Sequence, residues 1–243
     1  MSDRPPSDRL DSQCAVVTGV GRAGQVGEAV AREFGRRGAA VAIIDILLTN
    51  AEPIAAALRA EGLAVSAYGC DLADHAAIGA VARTIADAHE GRIHALANVA
   101  GGFALSGPVA ESDPAVFDRQ IRINLSSAYG ATRACLPFLR TAHGAIVFMA
   151  AAAALPGGRV AGLSAYAAAK CGLLALMRSV AQEERANGVR ANALAPTAIR
   201  TATNLDTMGE KIAYVERESV AGMIAFLCSD AARNVSGQVI ELA

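Results

Sequence analysis

Short apolar runs alternate with longer amphipathic stretches from one end of this chain to the other. Residues 14–18 (CAVVT), 39–45 (AAVAIID), 63–69 (LAVSAYG), 93–98 (IHALAN), 144–149 (GAIVFM), 189–194 (VRANAL) and 237–242 (GQVIEL) read as seven strands. Their near-continuous apolar character predicts strands buried on both faces. Helices are predicted between them at about 26–37, 50–61, 74–90, 113–140, 165–187 and 216–228. The stretch at 113–140 opens on ESDPAVFD, with a capping acid and an early proline. This alternation predicts an α/β fold: a doubly wound, seven-stranded parallel sheet with helices on both faces. No repeat or linker divides the chain. The expected organisation is a flexible N-terminal tail over 1–10 and a single domain over 11–243.

Composition narrows the function. The 243 residues are 53% hydrophobic and 19% charged, enough apolar material for a core and too much for a disordered chain. Lys plus Arg number 22 and Asp plus Glu 23, with no basic run, which argues against nucleic acid or an anionic membrane as partner. Five scattered cysteines form no CxxC pair, and the four histidines lack metal-ligand spacing. No metal is expected, and a reducing cytoplasm is the expected location. The polar, proline-bearing start MSDRPPSDRL reads as a loose tail, and charge or glycine interrupts every apolar stretch before membrane-spanning length.

The first strand runs into TGVGRAGQVG, which opens a helix. Gly19, Gly21, Gly24 and Gly27 permit positive φ and close approach of a pyrophosphate to the backbone. Asp45 ends the second strand, where a carboxylate meets the adenosine ribose hydroxyls and repels a 2′-phosphate. NAD is therefore expected over NADP, although Arg22 in the turn could pair with such a phosphate. SAYAAAK places Tyr166 and Lys170 four apart, on one face of a helix. A cation beside a phenol lowers its pKa, and such a tyrosine can exchange a proton with an alcohol or carbonyl while hydride moves to or from a nicotinamide.

The glycine turn, Asp45, CDLAD at 70–74, NVAGG at 98–102, Asn124 in IRINLS, the Tyr166–Lys170 pair and LAPTAIRT at 194–201 occur in one order. Together they resemble the short-chain dehydrogenase/reductase family, with its Rossmann fold, over about Leu10 to Leu242. The resemblance implies that Tyr166 is the general acid/base. Lys170 would hold the nicotinamide ribose and tune the tyrosine, and Asn124 would order a water in the proton relay. It places Asp45 and Ile46 at the adenosine, Asp71 and Leu72 beside the adenine, and Asn98, Ala100 and Gly101 along the cofactor cleft. Pro196, Ile199 and Thr201 fall at the nicotinamide carboxamide. The expected activity is NAD(H)-dependent interconversion of a secondary alcohol and a ketone.

The chain departs from the family pattern in several places. The family's catalytic serine falls at Ala153, or at Ala151 counted from the strand, within an unbroken alanine run from 150 to 154. A substrate group that replaces the serine, lost reductase chemistry with retained cofactor binding, or an introduced substitution would each account for it. The alternatives to a reductase are thus a cofactor-binding scaffold or a Tyr–Lys enzyme that moves protons without net hydride exchange. The glycine turn is two residues longer than the usual form and is similar to that of enoyl-acyl-carrier reductases, which puts Gln25 and Val26 at the pyrophosphate. That branch spaces its Tyr and Lys seven apart, so the enoyl-reductase reading is rejected. The segment from Pro196 to Phe226 is short and polar, implying an open site for a bulky or carrier-bound substrate. The chain also stops at ELA, before the short tail usual in the family.

Phe103, Leu105 and Met149 follow strand ends and are expected to border an apolar substrate pocket. Cys171 is expected to be a packing residue. Apolar, small-residue faces on the 113–140 and 165–187 helices are expected to build a homodimer or homotetramer, as the resemblance implies.

Overall fold

A computed structural model describes residues 7–243. Side chains part to alternate faces along its first strand, β1 (Cys14–Thr18): Cys14 and Val16 enter one apolar cluster, Ala15 and Val17 the other. In chain order there follow α1 (Val26–Arg36), β2 (Ala40–Asp45), α2 (Leu48–Ala60), β3 (Val65–Gly69), α3 (His75–Asp87) and β4 (Ala95–Asn98). Next come α4 (Pro114–Gln120), α5 (Ser127–Ala142), β5 (Ala145–Met149), α6 (Ser164–Glu183) and β6 (Arg190–Pro196). The chain closes with β7 (Ile199–Arg200), α7 (Ala202–Met208), β8 (Val215–Glu216), α8 (Arg217–Cys228) and β9 (Val239–Leu242).

Seven strands form one sheet in the order β3-β2-β1-β4-β5-β6-β9, and every pairing in it is parallel. Helices α1, α2 and α8 cover one face and α3, α5 and α6 the other, so the expected doubly wound sheet is present. Strand order reverses between β1 and β4, which opens a crevice at their carboxyl ends. Most residues singled out for the cofactor lie at or just beyond such an end, whereas Asn124, Tyr166 and Lys170 lie on helical segments.

The structure differs from expectation in four places. The 113–140 helix is interrupted: Ile121–Ser126 winds as a π-helical turn between α4 and α5. The segment after Pro196, read as a polar stretch without elements, folds into α7 and a two-stranded parallel sheet of β7 and β8. The expected tail boundary falls inside ordered structure, because Leu10 is fully buried and the Ser7 carbonyl accepts from the Ala231 N–H. Residues 1–6 of that tail lie outside the described residues. Cys171 is exposed in the single chain, with its Sγ 3.8 Å from the Ala154 carbonyl, because its position on α6 turns away from the sheet. No helix among the described residues is long and apolar enough to cross a membrane, and no metal-binding cluster occurs among them.

Candidate active site

The glycine turn starts where β1 ends. Gly19 has φ +76, and a Cβ there would stand 2.6 Å from the Ala100 Cα, so only glycine lets the turn pack on the 98–101 backbone. A Cβ on Gly21 would run into the Asp45 carboxylate. The turn and the end of β2 therefore meet directly, as a phosphate cradle and a ribose-binding acid require. Asp45 also accepts from Asn50 Nδ2 at 3.0 Å, which fixes its carboxylate. Ile46 lies beyond it, exposed, followed by exposed Leu47 and Leu48. Arg22 is exposed on the turn. Gln25 precedes α1 in extended conformation, and Val26 begins the helix.

Thr18 was not singled out from sequence, yet it holds the cleft together. Its hydroxyl donates to the Ala97 carbonyl at 3.3 Å and accepts from the Val99 and Ala100 N–H groups, each at 3.1 Å. This single side chain aims the segment containing Asn98, Ala100 and Gly101. Asn98 donates to Thr132 Oγ1 at 3.0 Å, and its buried Oδ1 has no hydrogen-bond partner. Asp71 accepts from the Ala73 N–H at 2.9 Å and pairs with Arg122 at 2.6 Å, which together hold its carboxyl below the usual range. Leu72 is buried beside it. Pro196 ends β6, Ile199 begins β7, and Thr201 caps α7 by accepting from the Asn204 N–H.

Asn124, fully buried in the π turn, accepts from the Gly102 N–H at 3.2 Å and donates to the Gly102 carbonyl at 3.0 Å. It also donates to the Gln120 backbone and side-chain oxygens. A Cβ on Gly101 would collide with Asn124 Oδ1 and lie 3.6 Å from Lys170 Nζ. The π turn, the post-β4 loop and α6 thus converge.

Lys170 is 5% exposed and donates to the Met149 carbonyl at 2.7 Å. Its Nζ lies 5.6 Å from the centre of the Tyr166 ring, while Phe103 meets the ring edge-on at 5.1 Å. Burial pushes the Tyr166 phenol up to about 12 and the Lys170 ammonium down to about 8. The expected lowering of the tyrosine pKa is absent here, because desolvation outweighs a cation held over the ring face. The Met149 side chain is buried in the core, so its carbonyl is what serves the site. Phe103 and Leu105 are exposed on the post-β4 loop. The loops flanking Tyr166 are tied together: Ser106 N–H and Oγ both donate to the Gly162 carbonyl, and Ser106 Oγ lies 3.1 Å from Ser164 Oγ. Ala151 is buried, and Ala152–Ala154 form a short turn with no hydroxyl to offer.

A cavity of about 590 Å³ lies elsewhere, between α1 and α8, lined by Arg32, Arg36, Arg217, Glu28, Glu61 and Glu218 among others. Its arginines face acids in ion pairs, and it contains none of Tyr166, Lys170 and Asn124.

The crevice at the switch in strand order, the glycine turn and the half-buried Tyr166 beside buried Lys170 lie together at the carboxyl edge of an α/β sheet of the Rossmann class. A family model described as enoyl-(acyl carrier protein) reductase matches residues 19–242. D-threitol dehydrogenase of Mycolicibacterium smegmatis is 33% identical over 94% of this chain and 90% of its own length. Meso-2,3-butanediol dehydrogenase of Serratia marcescens is 32% identical over 96% of this chain and 94% of its own. Among solved structures, a gluconate 5-dehydrogenase from Burkholderia cenocepacia in complex with NADP and tartrate superimposes with TM-score 0.88 at 26% identity, covering 97% of this chain and 95% of that one. The chain belongs to the short-chain dehydrogenase/reductase family and is an oxidoreductase.

Proposed function

We propose that the enzyme interconverts a secondary alcohol and a ketone using NAD(H). The observation that carries this reading is the convergence of Tyr166, Lys170 and the Asn124-held Gly101–Gly102 backbone beside the glycine cradle. When bound, the nicotinamide supplies or accepts the hydride. Tyr166 gives a proton to the substrate oxygen in reduction and takes it back in oxidation. Lys170 lowers the cost of the transient phenolate, and its N–H groups not used by Met149 hold the ribose. Asn124 fixes the 101–102 backbone and the water linking Lys170 to solvent.

Gly19, Gly21, Arg22, Gln25 and Val26 face the pyrophosphate in this reading. Asp45 and Ile46 take the adenosine, and Asp71 and Leu72 flank the adenine. Asn98, Ala100 and Gly101 shape the cleft, and Pro196, Ile199 and Thr201 meet the carboxamide. The preference for NAD rests on Asp45 and on the apolar Ile46–Leu48 that follows it, and it outweighs exposed Arg22, the cation of the turn that could meet a 2′-phosphate. The substrate body is apolar, since exposed Phe103, Leu105 and Val160 belong to the loops flanking Tyr166. The alanine run favours one second reading, proton transfer or cofactor binding without net hydride exchange. A homodimer or homotetramer would cover the α5 and α6 faces, where Tyr129 is exposed on α5; a mass near 25 kDa by gel filtration would remove it.

The test is titration with NADH and with NADPH, followed by a ketone screen with Tyr166→Phe. Tighter NADH binding and ketone reduction that depends on Tyr166 support the proposal. Tighter NADPH binding overturns the cofactor preference. Cofactor binding without turnover favours the second reading.

A further inference from the structure

Gln25 ends the glycine turn as the N-cap of α1, yet its side chain caps nothing. Glutamine is a weak cap, and Ser, Thr, Asp or Asn there would satisfy an orphan N–H at the helix start. The Gln25 amide instead donates to Thr203 Oγ1 at 3.1 Å, across 178 positions of chain. Thr203 lies in the first turn of α7, just past Thr201. The neighbouring Gly24 confirms the approach: a Cβ there would lie 4.0 Å from the Ala202 Cβ and 3.5 Å from Arg217 Nη1.

The segment carrying Thr203 is bound within itself. Strands β7 and β8 pair at its base, through Ile199 with Val215 and Arg200 with Glu216. The Tyr214 hydroxyl donates to the Gly209 carbonyl at 2.6 Å and the Asn204 carbonyl at 3.2 Å. The Arg200 guanidinium stacks 5.0 Å over the Tyr214 ring and pairs with Glu216. These contacts make the segment a small unit with its own base. Among the described residues, Gln25–Thr203 is the side-chain hydrogen bond of this segment that reaches the glycine turn.

We propose that Gln25 and Thr203 are positioning residues that fasten the 199–216 segment to the glycine turn and so slow release of the bound dinucleotide. This rests on the reading that the crevice takes NAD(H). The turn carries one wall of that crevice, and the chain from Pro196 to Thr201 carries the other. The Gln25–Thr203 bond ties the turn to α7, which continues directly from that second wall.

Stopped-flow release of NADH, read by nicotinamide fluorescence, tests the role in Gln25→Ala, Thr203→Val and the double variant. An exposed hydrogen bond of ordinary strength predicts release about two- to tenfold faster in each single variant, with no further gain in the double. Trypsin cleavage after exposed Lys211, with no cofactor present, accelerates in the same variants. Gln25→Ser separates this role from simple stability. It supplies the missing cap and raises Tm by about 2–4 °C, yet still releases NADH faster. Unchanged release in Thr203→Val, or effects of the two changes that multiply, overturns the proposal. If wild-type protein binds no NADH, the cofactor reading fails and the release role fails with it. Trypsin protection that persists in that case shows the tie to be structural only.

Discussion

Two desolvated cations, one buried and one half-buried, stand at opposite edges of the sheet, and both are bonded to backbone carbonyls rather than to acids. Lys170, at the carboxyl edge, donates to Met149 alone among the described residues. Arg190, at the amino edge where β6 begins, donates to the carbonyls of Leu227 at 2.6 Å, Ser229 at 3.1 Å and Val235 at 3.4 Å. Burial is the main force lowering the pKa of each. The difference lies in how many donors remain. The planar Arg190 fork is occupied by the chain end of α8 and the turn after it, where carbonyl dipoles favour a cation. The compact Lys170 ammonium keeps donors unspent in a site that desolvates it. One cation fastens a helix to the sheet, and the other is held at a desolvation cost with donors to spare.

The largest effects should follow from removing the reactive pair. Tyr166→Phe should lower kcat for ketone reduction by about 10²–10⁴-fold, the usual worth of a positioned acid. Lys170→Met should do similar damage while raising stability at pH 7 by about 1–3 kcal/mol in urea unfolding, because it deletes an uncompensated buried charge. The pH dependence sharpens this. With a folded pKa near 8 against an ordinary 10.5, Lys170 contributes stability that is present above about pH 10.5 and lost as pH falls through 8. Tyr166, raised to about 12 from 10.0, acts in the opposite sense and higher: its contribution is whole below pH 10 and lost as pH rises through 12. Lys170→Met should therefore flatten the stability profile between pH 8 and 10 and leave the fall above pH 10 in place. An activity loss accompanied by lower stability at pH 7 would mean that Lys170 is a structural strut like Arg190.

Arg190→Met should behave in reverse. It removes the bonds to the Leu227, Ser229 and Val235 carbonyls, of which Ser229 keeps the Ala232 N–H and Val235 keeps Asn192 Nδ2, and should cost about 1–3 kcal/mol in urea unfolding. NADH affinity of the folded fraction should stay as in wild type, since the change lies at the edge opposite the crevice. A large change in NADH affinity would break the division between the two edges.

Local and long-range contacts likewise divide what is legible in the sequence from what is not. The sheet was legible because each strand is a nearly continuous apolar run between helical ones, and that pattern is local. The glycine turn, Asp45, Tyr166 and Lys170 were legible because their spacing is short and tied to strand ends or one helix face. Thr18, Arg122 and the Gln25–Thr203 bond were not, because their partners lie far along the chain and leave no periodic trace. The β7–β8 pair consists of two-residue strands in polar sequence, and their pairing depends on closure of the chain rather than on β propensity. The π turn within IRINLS was missed because its residues carry an ordinary helical pattern. What sets it apart is Asn124 turning inward to Gly102, a tertiary contact. Cys171, expected to pack, instead lies on an exposed surface of α6, one step from a buried lysine.

The smallest expected effect returns to the amino edge, at His94. Its Nδ1 accepts the Cys14 N–H at 3.0 Å, so that nitrogen must carry no proton for β1 to be fastened there. Its backbone completes the junction, donating to the Cys14 carbonyl and accepting from the Ala145 N–H. Burial first, then the nearby Arg92 and His89, hold the ring below its ordinary 6.5. A depressed histidine binds fewer protons folded than unfolded. The stability it contributes is therefore present above about pH 6.5 and lost as pH falls through the folded value. The loss should be about 1 kcal/mol, the worth of one hydrogen bond. His94→Asn should keep an acceptor close to the Nδ1 position without a titrating ring, so its urea midpoint should fall less between pH 7.5 and 5 than that of wild type. Equal falls in the two proteins would place the acid sensitivity of this edge in its carboxylates instead. Because Lys170 titrates above neutrality and His94 below it, the two edges should lose stability in separate pH windows.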